Sequence, residues 1–399
     1  MDTESSRQRL TNELMARYGV ASSAVRQVFV PYRICPLGAH IDHQLGSVTA
    51  MAIDRGVRFA YAPAPTREVR LRSMNFAGEV RFGLDAPGIA RSGDWGNYAR
   101  GAVQALTQAG HALKQGSVGI IAGPWSEAGL GSSAAVGVAY LLALETVNGL
   151  RVSTDENIRL DQAIERGFLG LRNGILDQSG ILLSRKNHLT LIDCATGGHQ
   201  LIPAANAMPS WSILLAFSGL QKSLIGTDYN RRVAECAAAA RIILEAAGRM
   251  DEPPLLGRVR PSEYEQFKGR LPAPLDRRAE HFFSEADRVR KGAVAWAKGD
   301  LSEFGQLMTA SGESSIRLYE CGAPPLIDLC QIMVQCPAVY GARFSGAGFR
   351  GCCVALVEQS CASQAAAEIQ AAYAARQPEL AANAAVVVCR SDDGAQMIE

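Results

Sequence analysis

Four clusters of residues carry groups that could do chemistry. The run Pro36-Leu37-Gly38-Ala39-His40-Ile41-Asp42-His43 has two imidazoles and a carboxylate, which could hold a metal or exchange hydrogen bonds with adjacent sugar hydroxyls. A two-metal hydrolase signature of the HxHxDH kind would need histidine where Gly38 stands, and the whole chain has only six histidines. A polar loop with one capping aspartate is the plain alternative. The run Gly129-Leu130-Gly131-Ser132-Ser133-Ala134 falls between a predicted strand and a predicted helix. Backbone N–H groups and a positive helix end can converge on a phosphate there, although a serine-capped helix entry would also use these residues. Asp177 follows a helix break at 172–174, so it falls in the first turn of the restarted helix, where its anion is favoured. Glu165 precedes it by twelve residues and meets it only if that break folds back. Finally, Gly346-Ala347-Gly348-Phe349-Arg350-Gly351 is a glycine turn that lets main chain approach a ligand closely, or simply a β-turn.

Both glycine runs match dinucleotide patterns, and context rejects both matches. The first fits GxGxxA but begins six residues after its strand, and its nearest acid, Glu145, lies within a helix. The second precedes a strand where a helix is required. The lysine-bearing GxxxxGK[ST] loop is absent, which excludes the commonest nucleotide hydrolases.

The elements that must position these groups are of both kinds. An opening helix near 10–18 leads into β-branched segments at 25–32, 47–53 and 56–62, whose short connections suit antiparallel pairing. A helix over 95–106, a strand over 117–122 and a helix over 134–147 follow, then a helix from 161 to about 171. The Pro- and Ala-rich stretch 201–210 is the best linker, which predicts an N-terminal domain over 1–205 and a C-terminal domain over 206–399. The second half reads as helices over 231–246, 279–298 and 325–334, with an alanine-rich helix at 365–375.

The 399 residues suffice for two domains with a cleft between them. Lys and Arg total 40 against 39 Asp and Glu, a balance that removes the electrostatic footprint of a nucleic-acid binder or an anionic-lipid tail. Ten scattered cysteines without a CxxC pair read as reduced thiols. The charged N-terminus lacks a signal-peptide core, and no apolar span reaches bilayer length. The cytoplasm is the expected compartment, and a monomer the expected state.

Three motifs in this order carry a resemblance over essentially the whole chain. VPYRICPLGAHIDH resembles the sugar-binding signature of galactokinases, SEAGLGSSAAVGVA the phosphate loop of the GHMP kinases, and GARFSGAGFRGCCVALV their C-terminal glycine motif. With YLLALE, GLRNGILDQS and ARFSGAGFRGCC, the wording is most similar to the branch acting on the uronic acid of galactose. The resemblance implies an α/β (α+β) fold of two GHMP kinase domains, the first related to ribosomal protein S5 domain 2, with the active site in the cleft between them. It implies ATP and Mg²⁺ as cofactors and a sugar acid phosphorylated at its anomeric hydroxyl. It assigns Arg33 to the transferred phosphoryl, Asp177 to the base, and Glu165 with Ser132 or Ser133 to Mg²⁺. Trp95 matches a tryptophan beside adenine, Tyr229 a tyrosine near the sugar, and His40 and Asp42 the sugar ligands. An aspartate held by an arginine accepts a proton poorly in the ground state, so Asp177 acts late or orients the hydroxyl.

One departure concerns C6. Galactokinases carry Glu in GEHxDY, bonded to the C6 hydroxyl of galactose, and this chain has Ala39. Against a C6 carboxylate a Glu would cost on the order of 4 kcal/mol at 4 Å and an effective dielectric near 20. The family's neighbouring Tyr is here His43, either a charged partner of the carboxylate or a packing substitution. Arg72 and Arg231 are other possible carboxylate partners. Kinases of galactose, glucuronate or arabinose, and a non-catalytic sugar sensor, remain the alternatives.

Overall fold

The computed structural model describes residues 3–124, 129–171, 173–220, 228–346, 348 and 351–398. The first half runs α1 (Thr3–Tyr18), β1 (Arg26–Ile34), β2 (Val48–Pro63), β3 (Glu68–Ser73), β4 (Glu79–Gly83), α2 (Asn97–Gln108), β5 (Ser117–Ala122), α3 (Ser132–Asn148), α4 (Thr154–Gln162), α5 (Leu176–Leu183), β6 (His188–Ile192) and β7 (His199–Pro203). The second half runs β8 (Trp211–Phe217), α6 (Asp228–Ala246), α7 (Pro261–Phe267), α8 (Leu275–Lys298), α9 (Leu301–Arg317), α10 (Pro324–Gln335), β9 (Val339–Phe344), β10 (Cys352–Glu358), α11 (Ala362–Arg376), β11 (Ala385–Cys389), β12 (Ser391–Asp392) and β13 (Gln396–Ile398).

Period-two alternation in β1 turns Val28, Val30, Tyr32 and Ile34 into the core. Beneath the sheet, Leu10 and Leu14 of α1 pack on Ala60, Ala62, Val118 and Ile120, while α3 and α5 lie on β1 and β2. The first sheet has the order β13-β1-β2-β5-β3-β4, with β12 and β6 also pairing β2 and β7 pairing β6. The second is β11-β8-β10-β9, lined by α9 and α10 against β9 and by α11 against β11.

The segments expected at 47–53 and 56–62 form one long strand, β2, because Gly56 lets it pass β1 closely. A side chain there would meet the Val30 carbonyl oxygen at 2.2 Å. The β1–β2 register shifts between Pro31 and Arg33, since proline has no N–H for the ladder, and the irregularity re-aims Arg33. Antiparallel pairing holds for β1–β2, whereas β3 pairs β5 in parallel. The expected helix over 161–171 is instead the end of α4 and a π-helical turn, Ala163–Phe168, a form that recurs at functional sites. Of the expected linker, residues up to Pro203 belong to β7. The chain then crosses to the second sheet, and at its far end β12 and β13 return to pair β2 and β1 of the first.

Candidate functional site

Gly129 and Gly131 take φ of 74° and 72°, left-handed values that suit glycine. Gly131 is the N-cap of α3 and offers no side chain to the first-turn N–H groups. The other glycine turn meets this loop directly. A Cβ on Gly346 would lie 2.8 Å from Gly129 Cα, and one on Gly129 would lie 2.7 Å from the Ser345 carbonyl oxygen. Ser345 Oγ donates to the Gly129 carbonyl at 2.6 Å. Thus two runs more than two hundred residues apart in sequence form a single backbone-lined wall around the start of α3. Leu130 and Ala134 are buried behind it. Gly348 packs on Phe344 with φ of 76°, and Ala347 lies outside the described residues.

Arg33 ties this wall to the acids. Its N–H donates to the Leu130 carbonyl at 3.0 Å, Nη1 donates to the Gly129 carbonyl at 3.0 Å, and Nε and Nη2 donate to Asp177 Oδ1 at 2.8 and 2.5 Å. Asp177 stands in the first turn of α5, with 22% of its side chain exposed against 5% for Arg33. The break before α5 folds back far enough to bring Glu165 into the same cluster. Glu165 accepts from Ser133 Oγ at 2.8 Å, from Gln178 Nε2 at 2.7 Å and from Asn173 Nδ2. Burial, with the Asp177 charge added, raises its carboxyl to about 7.

A buried carboxylate beside a hydroxyl is the hard-oxygen pair Mg²⁺ takes when phosphates supply its other ligands, so these residues fit that ion. Among the described residues no three His, Cys, Asp or Glu converge as a self-contained metal cage. Behind Glu165 sits Asp161, fully buried beside the Gln178 amide. Burial and the Glu165 charge raise its carboxyl well above the usual range.

The other end of the site is made of side chains. Asp42 lies against the Gly174 backbone, and burial followed by the Asp177 charge raises its carboxyl to about 6. His40 adopts φ of 59° and stacks on Tyr319 at 4.3 Å, with 2° between the rings. Burial lowers its imidazole well below the ordinary value.

His43 is 6% exposed, and burial lowers it to about 4. Its tautomer follows from its neighbours. The Leu256 N–H donates to Gln44 Oε1 at 3.1 Å, so the Gln44 amide Nε2 faces His43 Nδ1 at 3.0 Å and donates to it. The His43 proton then sits on Nε2, 3.1 Å from the Tyr319 hydroxyl. A doubly protonated ring would set an Nδ1–H against the Gln44 N–H donor, so the geometry favours a neutral, packed His43 over a charged one.

Ala39 is 3% exposed within the His40 loop. Trp95 is partly buried just before α2. Tyr229 opens α6, and its side chain lies outside the described residues. Arg231 ion-pairs with Glu235 at 3.7 Å, and Arg72 acts on Tyr18 of α1. Sequence reasoning missed Ser345 in the glycine wall, Asn173, Gln178 and Asp161 around the acids, and His281, Glu285 and Tyr319 around His40. Only Ser345 and Gln178, each next to a recognised residue, carried a local signal.

Comparison with known proteins gives matches along most of the chain. Residues 97–185 match the family described as GHMP kinases N terminal domain, and residues 292–375 that described as GHMP kinases C terminal. A galacturonokinase of Arabidopsis thaliana is 50% identical over 397 residues, covering 94% of each chain. A galactokinase of Roseiflexus sp. (strain RS-1) is 33% identical, covering 96% of each. The crystal structure of Lactococcus lactis galactokinase complexed with galactose superposes with a TM-score of 0.90 at 27% identity, over 98% of this chain and all of that one. A Methanococcus jannaschii mevalonate kinase, 18% identical with a TM-score of 0.66 over 92% of this chain and 98% of that one, shares the fold.

Proposed function

The chain belongs to the GHMP kinases, and we propose that it transfers the terminal phosphoryl group of ATP to the anomeric hydroxyl of D-galacturonate, giving galacturonate 1-phosphate and ADP. Phosphoryl transfer asks the protein for in-line placement and charge neutralisation. The Gly129–Gly346 wall and the start of α3 bind the phosphates. Arg33, already bonded to this wall, stabilises charge on the moving group. Both of its bonds to Asp177 fall on Oδ1, so the proton of the anomeric hydroxyl goes to Oδ2, with Asp177 orienting the hydroxyl until transfer is advanced. Glu165 and Ser133, with Ser132 beside them, hold Mg²⁺, which when bound neutralises phosphate charge.

The observation that carries the choice of a uronic acid is the charge balance around Ala39. Glu285 is the buried carboxylate there, and Arg288 pairs with it at 2.6 Å. Arg343, 2% exposed, acts on Glu285, His40 and His281. Its Nη1 donates to the Cys35 carbonyl at 2.8 Å, and its buried Nε has no hydrogen-bond partner among the described residues. With the three imidazoles neutral, two guanidinium groups act on this one carboxylate, while Asp42 in the same loop faces Arg33 and Asp177. A Glu at position 39 would cancel the surplus in a galactokinase, and here a C6 carboxylate of the substrate does so. The Arabidopsis relative points the same way. None of the ten cysteines forms a disulfide, as a reducing compartment such as the cytoplasm leaves them.

ADP release measured with galacturonate, glucuronate, galactose and arabinose at matched concentrations tests the assignment. Galacturonate is expected to give the highest kcat/KM, and a preference for galactose overturns it.

A further inference from the structure

One face of α8 grips the loop that carries His40 at three successive points. Leu37 seats on Gly292, where a Cβ would come within 2.1 Å of Leu37 Cδ1. Glu285 Oε1 accepts from the N–H groups of Gly38 and Ala39 at 2.7 and 3.0 Å, and from Ser311 Oγ at 2.6 Å. His281 Nε2 lies 2.8 Å from the Ala39 carbonyl. Residues 281, 285 and 292 are spaced by four and seven, which puts them on one helix face.

The chemistry of each contact is determined. A carbonyl only accepts, so His281 carries its proton on Nε2, and its Nδ1 accepts from Ser314 Oγ at 2.8 Å. Burial lowers this imidazole to about 4 and keeps it neutral. Burial alone would raise Glu285, but Arg288 and its other neighbours hold it at about 2, so it remains a charged acceptor for the two N–H groups.

Both polar groups of the Ala39 peptide unit are thus taken by α8, and the next residue, His40, sits in the left-handed region that non-glycine residues seldom adopt. The same helix face steadies the ring on which His40 rests. Arg278 donates to the Leu318 carbonyl and to Glu320 Oε2, each at 2.5 Å, on either side of Tyr319.

We propose that His281 and Glu285 of α8 are positioning residues that set the orientation of His40 toward the sugar, and that their loss weakens the sugar without weakening ATP. This rests on the reading of His40 as a sugar ligand. The test is steady-state kinetics on the full chain, with sugar and ATP varied independently. His281→Leu should raise the sugar KM about tenfold, the loss of one hydrogen bond, and leave the ATP KM within about twofold. His281→Gln, whose amide N–H reaches the place of Nε2, should recover most of that loss.

Should His281→Leu fail to fold, Tyr319→Leu reads the same device. It removes the stack and should raise the sugar KM about fivefold, more than Tyr319→Phe, which keeps the stack. An unchanged sugar KM with lower kcat, or both KM values rising together, overturns the clamp while the kinase reading stands. A wild-type chain inert toward every sugar overturns both.

Discussion

The two ends of the site are built on different principles. The end proposed for the phosphates is main chain: glycines at 129, 131 and 346 in left-handed conformations, with 129 and 346 touching through atoms that leave no room for a side chain. The end proposed for the sugar is side chain upon side chain, with His40 on Tyr319, His43 between Gln44 and Tyr319, and the backbone of Ala39 before them held from α8. Phosphate is the same in every substrate of such an enzyme, so backbone N–H groups can serve it without regard to sequence. A sugar differs from its neighbour by one group at one carbon, and telling them apart requires residues that can be exchanged.

The largest expected effect falls where the two ends join. Asp177→Asn keeps a partner for Arg33 but takes no proton, and kcat should fall about 100- to 10,000-fold with both KM values little changed. A fall under tenfold in single-turnover measurements would remove Asp177 from the chemical step. Next comes the substitution that separates the acid from its neutral analogue. Ala39→Glu should lower kcat/KM for galacturonate about 100-fold and raise that for galactose, because the new carboxylate repels the substrate's and neutralises Arg343. Equal losses with both sugars would mean that residue 39 does not sense C6.

Gly346→Ala tests the backbone end alone. Its Cβ meets Gly129 in a conformation alanine resists, so the ATP KM should rise about tenfold and the sugar KM should hold within twofold, the mirror image of His281→Leu.

Smaller shifts follow from the buried acids. Glu165 binds a proton below about 7, and a proton there excludes Mg²⁺. The acid limb of kcat/KM for ATP should therefore move to lower pH as Mg²⁺ is raised, and an acid limb indifferent to Mg²⁺ would place the ion elsewhere. Asp161 gives the smallest effect. Its raised folded pKa means that its contribution to stability is complete below the ordinary carboxyl value of 3.8 and is lost as pH rises toward the folded value. Asp161→Asn should flatten the decline of Tm as pH rises above about 4, and a parallel decline in both proteins would exclude it.

The same contrast explains what the sequence discloses. The phosphate loop is legible because glycine and serine do their work within six contiguous residues, and Asp177 because a helix break announces a helix start. The magnesium role of Glu165 is legible only through family resemblance, since a π turn has no spacing signature and its partners Asn173 and Gln178 come from beyond the break. The supports of the sugar loop are illegible for a physical reason. His281 and Glu285 sit some 240 residues from Ala39, in a helix whose pattern says only that one face is buried. Gly56 and Pro31 likewise look like ordinary strand residues until the close crossing of β1 and β2 shows why two expected strands are one.

The return of β13 to β1, which sets Gln27 beside Ile398, bears on how the chain reaches this state on the ribosome. Before β13 is made, β1 has β2 on one side, and its Gln27–Phe29 edge stands open as a template for foreign strands. Closure of this edge of the sheet that carries Arg33 therefore waits on residues more than three hundred positions further along the chain.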